Sequence, residues 1–192
     1  DAIISASSDL DEYLIESLKA QGAKINSWGV GTNLITCNDN PAFGGVYKLA
    51  AIKNKEDADF VPKIKLSENV EKVTNPGNKT IMRIYDKTTG KIRADLICLE
   101  DEIFNPDEDM ILFDPMATWK KTKLTGGSYI LRELLVPVFK KGECVYTSPS
   151  VMEIKDICQK ELNTLWDETR RFTNPQEVFV DLSDKLYKIK SC

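Results

Sequence analysis

Apolar residues near the start of the chain recur with the period of a helix. Leu10, Leu14 and Leu18 are four positions apart, which places them on one helical face. We predict a buried strand at 2–5, a helix at 9–21 and a second strand at 25–28. Two strands joined by one helix run parallel, with a right-handed crossover. The pattern therefore predicts a β-α-β unit at the beginning of the chain.

The hydrophobic pattern changes after about residue 45. Strands are predicted at 45–52 and 64–66. Two further apolar stretches, 80–85 and 92–99, flank a turn at 86–90, which is typical of an antiparallel hairpin. Because parallel β-α units give way to antiparallel strands, we place a domain boundary between 1–44 and 45–192. The fold class is then α/β, changing to α+β in the C-terminal part.

The last third of the chain combines turn-rich and helical segments. Residues 100–128 are acidic and then rich in turn formers, so little regular structure is expected there. Pro137 lies in an apolar run and disfavours a central strand. Ser150 and Glu153 have the spacing of a capping box, which predicts a helix start. The remaining predictions are that this helix ends at Thr173-Asn174-Pro175, that a strand covers 178–180 and that a short basic helix starts at Ser183.

The composition excludes several kinds of chemistry. Histidine is absent from the 192 residues, so this chain has no imidazole for acid–base work or metal binding. The cysteines are odd in number and lack a Cys-x-x-Cys pair, which favours reduced thiols over disulfides or zinc. The net charge is −4 and the lysines are scattered, so nucleic acid is not an expected partner. No apolar run is long enough for a membrane span, and we expect a cytoplasmic protein.

A glycine-rich turn follows the second predicted strand. Gly29 and Gly31 allow a close approach of the backbone to an anion, and Thr32 adds a hydroxyl donor. Asp9 follows the first predicted strand. Phosphate donors beside a carboxylate that accepts from sugar hydroxyls suggest a phosphorylated sugar as ligand. Two alternatives remain open, since the glycines could form a bare tight turn and Asp9 could be a helix N-cap.

Two other charged segments have open interpretations. Lys48 lies among apolar neighbours, so its ammonium either reaches the surface or enters a cleft. The same two interpretations apply to Lys65, although its apolar surroundings in the sequence are weaker. The acidic stretch Glu100-Asp101-Glu102 is interpreted as a solvated face, with a magnesium site as the alternative. The chain also opens on a predicted buried strand without an initiator Met, and we expect it to be a fragment of a longer protein.

Several longer stretches resemble one enzyme family. They read Trp-Gly-Val-Gly-Thr-Asn-Leu-Ile-Thr at 28–36, Asn-Pro-Ala-Phe-Gly-Gly-Val-Tyr-Lys-Leu at 40–49 and Pro-Lys-Ile-Lys-Leu-Ser at 62–67. Further matching words are Leu-Trp-Asp-Glu at 165–168 and Val-Asp-Leu-Ser at 180–183. Together they closely resemble the C-terminal portion of nicotinate phosphoribosyltransferase, and the Gly-Gly-Val-Tyr-Lys-Leu block is the most specific.

This resemblance implies a reaction and a fold. Family members form nicotinate mononucleotide and pyrophosphate from nicotinate and phosphoribosyl pyrophosphate. ATP hydrolysis is coupled through a phosphorylated histidine, with Mg2+ present. The family fold is an irregular α/β barrel joined to an α/β sandwich, and the enzyme works as a homodimer. By resemblance, 1–44 would be the last β-α units of the barrel, and 45–192 would be the antiparallel and helical part of the sandwich.

The resemblance also implies roles for particular residues. Gly29, Gly31 and Thr32 would hold the 5-phosphate, and Asn33 would flank that loop. The remaining implied positions are Asp9 facing the ribose and Lys48 close to the phosphoribosyl site. The family often has Ser-Asn-Asp or Ser-Gly-Asp where this chain has Ser-Ser-Asp at 7–9.

The resemblance covers only part of the enzyme. The phosphorylated histidine and the groups that clamp nicotinate belong to the family's N-terminal part, so this chain alone is expected to be inactive. One alternative is a phosphate- or nucleotide-binding module without turnover. Another is a related quinolinate or nicotinamide phosphoribosyltransferase.

Overall fold

The computed structural model describes residues 2–42, 44–68 and 72–191. The chain divides into two compact units. The first comprises Asp1–Tyr47 and Phe172–Asn174, and the second comprises Lys48–Arg171 and Pro175–Cys192. The division thus falls a few residues after the predicted boundary, and a short segment from near the C-terminus joins the first unit.

The first unit is a β-α-β arrangement followed by a short helix. Strands β1 and β2 are parallel, with Ser5 opposite Ser27 and Ser7 opposite Gly29. The predicted order and direction of these elements are confirmed, although β1 begins at Ser5 rather than at residue 2. The elements are β1 (Ser5–Ser7), α1 (Glu12–Ala20), β2 (Ser27–Gly29) and α2 (Thr32–Thr36).

Helix α1 starts later than predicted because of its capping residue. The Asp11 carboxylate accepts a hydrogen bond of 2.7 Å from the Leu14 N–H, and Asp11 itself has an extended backbone. Such a cap stabilises a helix by about 1 kcal/mol. Gly22, with φ of +81°, follows the end of the helix as predicted. The interpretation of Asp9 as the N-cap is therefore wrong.

The first unit buries little apolar surface of its own. Ile3 and Ile4 are 77% and 50% exposed, so the prediction of a buried strand at 2–5 is wrong. Within the described part of this unit, Leu10 is the one apolar side chain that is fully buried. A unit with so small a core gains little free energy of folding from hydrophobic burial.

The second unit contains a four-stranded sheet in the order β12-β6-β5-β9. Strand β5 pairs antiparallel with both β6 and β9, which confirms the predicted hairpin. Strand β12 pairs parallel with β6. The sheet strands are β5 (Lys79–Asp86), β6 (Ile92–Leu99), β9 (Tyr129–Glu133) and β12 (Val180–Leu182).

A second hairpin covers the stretch for which little structure was predicted. Strands β7 (Met110–Asp114) and β8 (Ala117–Leu124) pair antiparallel. The prediction failed because residues 118–123 of β8 are all exposed, so the strand lacks the alternation that marks one buried face. Leu112 and Leu124 nevertheless anchor the hairpin in the core.

Two apolar clusters hold the second unit together. The main cluster lies between the sheet and the β7–β8 hairpin, and the smaller one fixes helix α5 (Asp184–Ser191) on β6 and β12. Leu186 and Ile84 are completely buried. The main cluster comprises Ile84, Ala94, Leu96, Leu112, Leu124 and Tyr129, and the smaller one comprises Leu99, Leu182 and Leu186.

The remaining strands differ from the predictions. In place of strands at 45–52 and 64–66 there is a short antiparallel pair at Ala51–Ile52 and Val61–Pro62. The apolar run with Pro137 contributes only a two-residue strand, in line with the effect of proline. These strands are β3 (Ala51–Ile52), β4 (Val61–Pro62), β10 (Phe139–Lys140) and β11 (Glu143–Cys144).

The capping box at Ser150 is confirmed, but the helix it starts is shorter than predicted. Helix α3 (Val151–Thr164) begins with reciprocal bonds between Ser150 and Glu153. It ends at Thr164 because Leu165 has an extended backbone, and the Trp166 indole donates 2.7 Å to the Ile92 carbonyl of the sheet. A separate turn of helix, α4 (Asp167–Arg170), follows.

The thiol prediction is tested for four of the five cysteines. Cys37, Cys98, Cys144 and Cys158 are free, which confirms the expectation for them. Cys192 lies outside the described residues. Among the described helices, none is both long enough and apolar enough to cross a membrane.

Candidate functional site

The ends of β1 and β2 bring the two predicted loops side by side. Ser7, the last residue of β1, lies opposite Gly29, the last residue of β2. Ligands of open parallel sheets bind at the carboxyl ends of the strands. The loop carrying Asp9 and the loop from Gly29 to Thr32 both start at this edge, so the first unit places the predicted carboxylate and the predicted phosphate donors on adjacent strand ends.

Asp9 is available for a ligand. Its side chain is exposed and accepts no hydrogen bond from any described residue, since Asp11 has taken the capping role. Ser8 and Asp9 have φ values of +85° and +46°. Non-glycine residues rarely adopt positive φ, and such strain occurs preferentially at functional sites. The positive φ at Ser8 also explains why Asn or Gly suits position 8, because these residues adopt positive φ more readily than others.

The two glycines of the glycine loop differ in how much space a side chain would have. A Cβ atom at Gly29 would lie 3.2 Å from the Ser7 Cβ, so the close pairing of the strands favours glycine there. A Cβ at Gly31 would meet nothing within 4 Å. Gly31 is the N-cap of α2, and the N–H groups of Thr32 and Asn33 have no intrahelical acceptor. These donors and the exposed Thr32 hydroxyl provide an arrangement that an anion can use.

Asn33 links the two loops. Its Nδ2 donates 2.9 Å to the Leu10 carbonyl oxygen, which follows Asp9 directly. The side chain is half-buried. Asn33 therefore holds the Asp9 loop against the glycine loop, a role that sequence reasoning did not assign, because the partner is a backbone atom 23 positions away.

Lys48 belongs to the second unit. Its ammonium lies 3.4 Å from the Lys72 carbonyl oxygen, to which it donates. The side chain is exposed and precedes the short strand β3, so its predicted position on a strand is wrong. Its predicted role toward the phosphoribosyl group stays a prediction.

A cavity of about 420 Å³ opens in the first unit between α1 and α2. Asp11, Glu12 and Asp39 line it, and no cationic side chain does. Carboxylates without cations repel a phosphate. Of the predicted substrate-binding residues Asn33 lines this cavity, and Val30 of the glycine loop lines it as well.

The acidic stretch at 100–102 is exposed at Glu100 and Asp101, as interpreted from the sequence, and its carboxylates also bind groups of the protein. The Asp101 carboxylate pairs with the Lys185 ammonium at 2.6 Å. Glu102 accepts from the Leu99 N–H at 2.8 Å and from the Ser183 hydroxyl at 2.7 Å. Glu100 accepts from the Asn78 amide. The described residues contain no group of three candidate metal ligands, and this stretch gives the magnesium alternative no support.

One buried carboxylate, Asp181, is not predicted by the sequence pattern. Asp181 in β12 is 6% exposed, and no described residue donates a hydrogen bond to its side chain. Loss of hydration on burial, with a smaller contribution from the nearby Asp114, raises the pKa of Asp181 to about 6. Its sequence context, Val-Asp-Leu-Ser, resembles an ordinary strand end, so no local pattern marks it.

Comparison with known proteins identifies the family of this mixed α/β chain. Residues 78–190 match the model of the nicotinate phosphoribosyltransferase C-terminal domain. The chain therefore belongs to the nicotinate phosphoribosyltransferase family.

Individual relatives agree with this assignment. The chain is 43% identical over 190 residues to nicotinate phosphoribosyltransferase of Bacillus subtilis, covering 99% of this chain and 38% of that protein. It is 37% identical over 187 residues to the Caenorhabditis elegans enzyme, covering 96% and 32%. The crystal structure of the human enzyme shares the fold, with a TM-score of 0.68, 22% identity and coverage of 99% and 32%. The chain thus spans 32–38% of the length of these relatives.

We predict that Ser8→Gly stabilises the protein. The positive φ at Ser8 costs a residue with a Cβ about 1–2 kcal/mol, and glycine avoids this at an entropic cost of about 0.5–1 kcal/mol. The free energy of unfolding in urea should rise by up to about 1 kcal/mol. The matched control Ser5→Gly, in strand β1, should lower it by about 0.5–1 kcal/mol. Equal losses in both variants would show that Ser8 is unstrained.

We predict a pH-dependent stabilisation by Asp181→Asn. Because the folded-state pKa is about 6 against a reference of 3.8, ionisation of Asp181 opposes folding, and the stability it contributes is lost as pH rises from about 4 to 6. The variant should match the wild type near pH 4 and exceed it by roughly 2–3 kcal/mol at pH 7. The exposed control Asp107→Asn should change the free energy of unfolding by less than about 0.5 kcal/mol. A pH-independent difference for Asp181→Asn would contradict the burial argument.

Proposed function

We propose that this chain is the C-terminal part of a nicotinate phosphoribosyltransferase. The whole enzyme would form nicotinate mononucleotide and pyrophosphate from nicotinate and phosphoribosyl pyrophosphate, in NAD biosynthesis. The first unit would supply the half of the site that binds the phosphoribosyl group. The observation that carries this proposal is the parallel pairing of Ser7 with Gly29, which sets Asp9 beside the glycine loop in a chain of this family.

The proposed roles follow from the chemistry of the side chains. The free N–H groups and hydroxyl at Thr32 would bind the 5-phosphate, as helix starts and glycine turns commonly do. Asp9 would accept from the ribose hydroxyls, since its carboxylate has no partner in the described protein. Asn33 would keep the two loops in register through its bond to Leu10.

In this reaction these residues would position the phosphoribosyl group and stabilise the charge on the sugar. The bond from the ribose C1 to a pyrophosphate oxygen breaks, and its electron pair leaves with pyrophosphate. The ring nitrogen of nicotinate donates the pair that forms the new bond to C1. The sugar is cation-like between these events, and a fixed carboxylate near the ribose stabilises that charge. Anchoring the phosphate holds C1 in place for the exchange.

Other parts of the proposed enzyme lie outside this chain. The phosphorylated histidine that couples ATP hydrolysis, and the groups that clamp nicotinate, are assigned to the remaining length that the relatives have and this chain lacks. We also propose a cytoplasmic homodimer. No described residue is assigned to Mg2+, because no three candidate ligands converge in the described parts of the chain.

We predict that activity requires the full-length protein. Nicotinate and phosphoribosyl pyrophosphate should yield nicotinate mononucleotide and pyrophosphate with the full-length enzyme, faster in the presence of ATP, and the 192-residue chain should show no turnover. Product formation measured by chromatography decides this. Turnover by the isolated chain would contradict the proposed division of labour, and binding of phosphoribosyl pyrophosphate without turnover by the full-length protein would favour a non-catalytic module.

We predict that Thr32→Val and Lys48→Ala weaken use of phosphoribosyl pyrophosphate. Loss of a hydrogen bond to a charged group costs about 1.5–3 kcal/mol, so kcat/KM in the full-length enzyme should fall roughly ten- to a hundredfold, with little change in Tm.

Matched controls are available for both variants. Thr36→Val removes a hydroxyl that donates 2.8 Å to the Thr32 carbonyl, and Lys55→Ala removes an exposed ammonium. Both should keep kcat/KM within about twofold. If Thr32→Val or Lys48→Ala instead lowers Tm while the folded protein keeps normal kinetics, the residue is structural.

A further inference from the structure

A second cavity lies in the second unit, away from the predicted substrate-binding residues. It has a volume of about 200 Å³ and is enclosed by β6, β12 and the β7–β8 hairpin. Its inner wall is apolar, because it is formed by Ala94, Leu112 and Leu124. All three are nearly fully buried. Asp181 also lines this cavity, so a buried carboxylate reaches otherwise apolar space.

The Asp181 carboxylate is buried but has no hydrogen-bond donor among the described residues. It is more than nine-tenths buried and accepts no hydrogen bond from any residue that the structure describes. The neighbouring Asp114 is different, since its Oδ1 accepts 2.8 Å from the Met116 N–H. The Asp181 carboxylate faces the cavity without a donor from the described protein, and a cationic group entering the cavity would supply that donor.

Positive charges surround the mouth of the same cavity. Lys120 and Lys121 on β8 line it and are exposed. Neither has a carboxylate within 4 Å among the described residues, whereas Arg93 at the rim pairs with Asp86 at 3.5 Å. The cavity is therefore negative inside, apolar along its wall and positive at its opening. A ligand complementary to it carries a cation at one end and an anion at the other.

We propose that this cavity binds a small organic zwitterion. Its ammonium would lie against Asp181, its apolar body against Leu112 and Leu124, and its carboxylate between Lys120 and Lys121. A dry cavity of about 150 Å³ holds a benzene molecule, so the volume here suits a single ring with two short substituents. None of these residues belongs to the proposed phosphoribosyl site, and the proposal stands independently of that function.

The ionisation of Asp181 supports this assignment. Its pKa is raised to about 6 by burial and by Asp114, so the carboxylate is charged at neutral pH and available to an ammonium. Asp114 on β7, Arg93 on β6 and the two lysines on β8 are the charged groups that line the cavity around it.

The test uses 4-(aminomethyl)benzoate as a probe, titrated into the full-length protein at neutral pH and followed by calorimetry. Saturable binding is expected below roughly 10 mM. The isostere 4-(hydroxymethyl)benzoate lacks the ammonium and should bind at least tenfold more weakly. Benzylamine lacks the carboxylate and should bind a few times more weakly than the zwitterion.

Variants locate the binding. Asp181→Asn should weaken the probe at least tenfold, and Asp107→Asn should leave its affinity unchanged. The double variant Lys120→Gln with Lys121→Gln should weaken the probe and not benzylamine. The proposal is overturned if no saturable binding occurs, if Asp181→Asn binds the probe as the wild type does, or if the hydroxymethyl compound binds as tightly as the probe. That last comparison needs no variant, so it decides the matter even where a substitution impairs folding.

Discussion

The parallel pairing of β1 with β2 is the constraint on which the candidate site depends. Ser7 and Gly29 lie opposite each other at the ends of the two strands, and a side chain at Gly29 would crowd the Ser7 Cβ at 3.2 Å. The close approach fixes where both loops leave the sheet. Asn33 then ties them together through the Leu10 carbonyl. The loops that carry Asp9 and Thr32 leave adjacent strand ends because of this register, in which a shift of one residue would turn each side chain to the other face.

The two units draw their stability from different sources. The second has two apolar clusters and a charged network in which Arg83 makes a 2.7 Å contact with Asp95 and Arg132 a 2.7 Å contact with Glu161 of α3. The first exposes most of its apolar side chains, including Ile3 and Ile35 at 77% and 83%. Exposed apolar patches of this kind mark surfaces that pack against something else. This agrees with the proposal that the chain is the C-terminal part of a longer enzyme.

Sequence patterns predicted the elements whose signals are local. The β-α-β order, the hairpin at 80–99 and the capping box at Ser150 depend on neighbours within a few residues, and all three were confirmed. The β7–β8 hairpin was missed because one strand exposes both faces. The early end of α3 was missed because it depends on the distant bond from Trp166 to Ile92. In the candidate site, glycine spacing revealed the loop, whereas the roles of Asp11 and Asn33 depend on geometry that spacing does not encode.

The carboxylates of this chain show how similar residues acquire different roles. Asp11 caps a helix, Asp101 pairs with a lysine, and Glu102 accepts two hydrogen bonds from neighbouring segments. Each of these is satisfied within the protein and has little left to offer a ligand. Asp9 and Asp181 are unsatisfied in opposite surroundings, one exposed and one buried. Water satisfies the first at little cost, so its site needs strong donors nearby to hold a substrate. The second has little exposed surface and lines a largely apolar cavity, so a ligand that supplies one ammonium gains more there than at the surface.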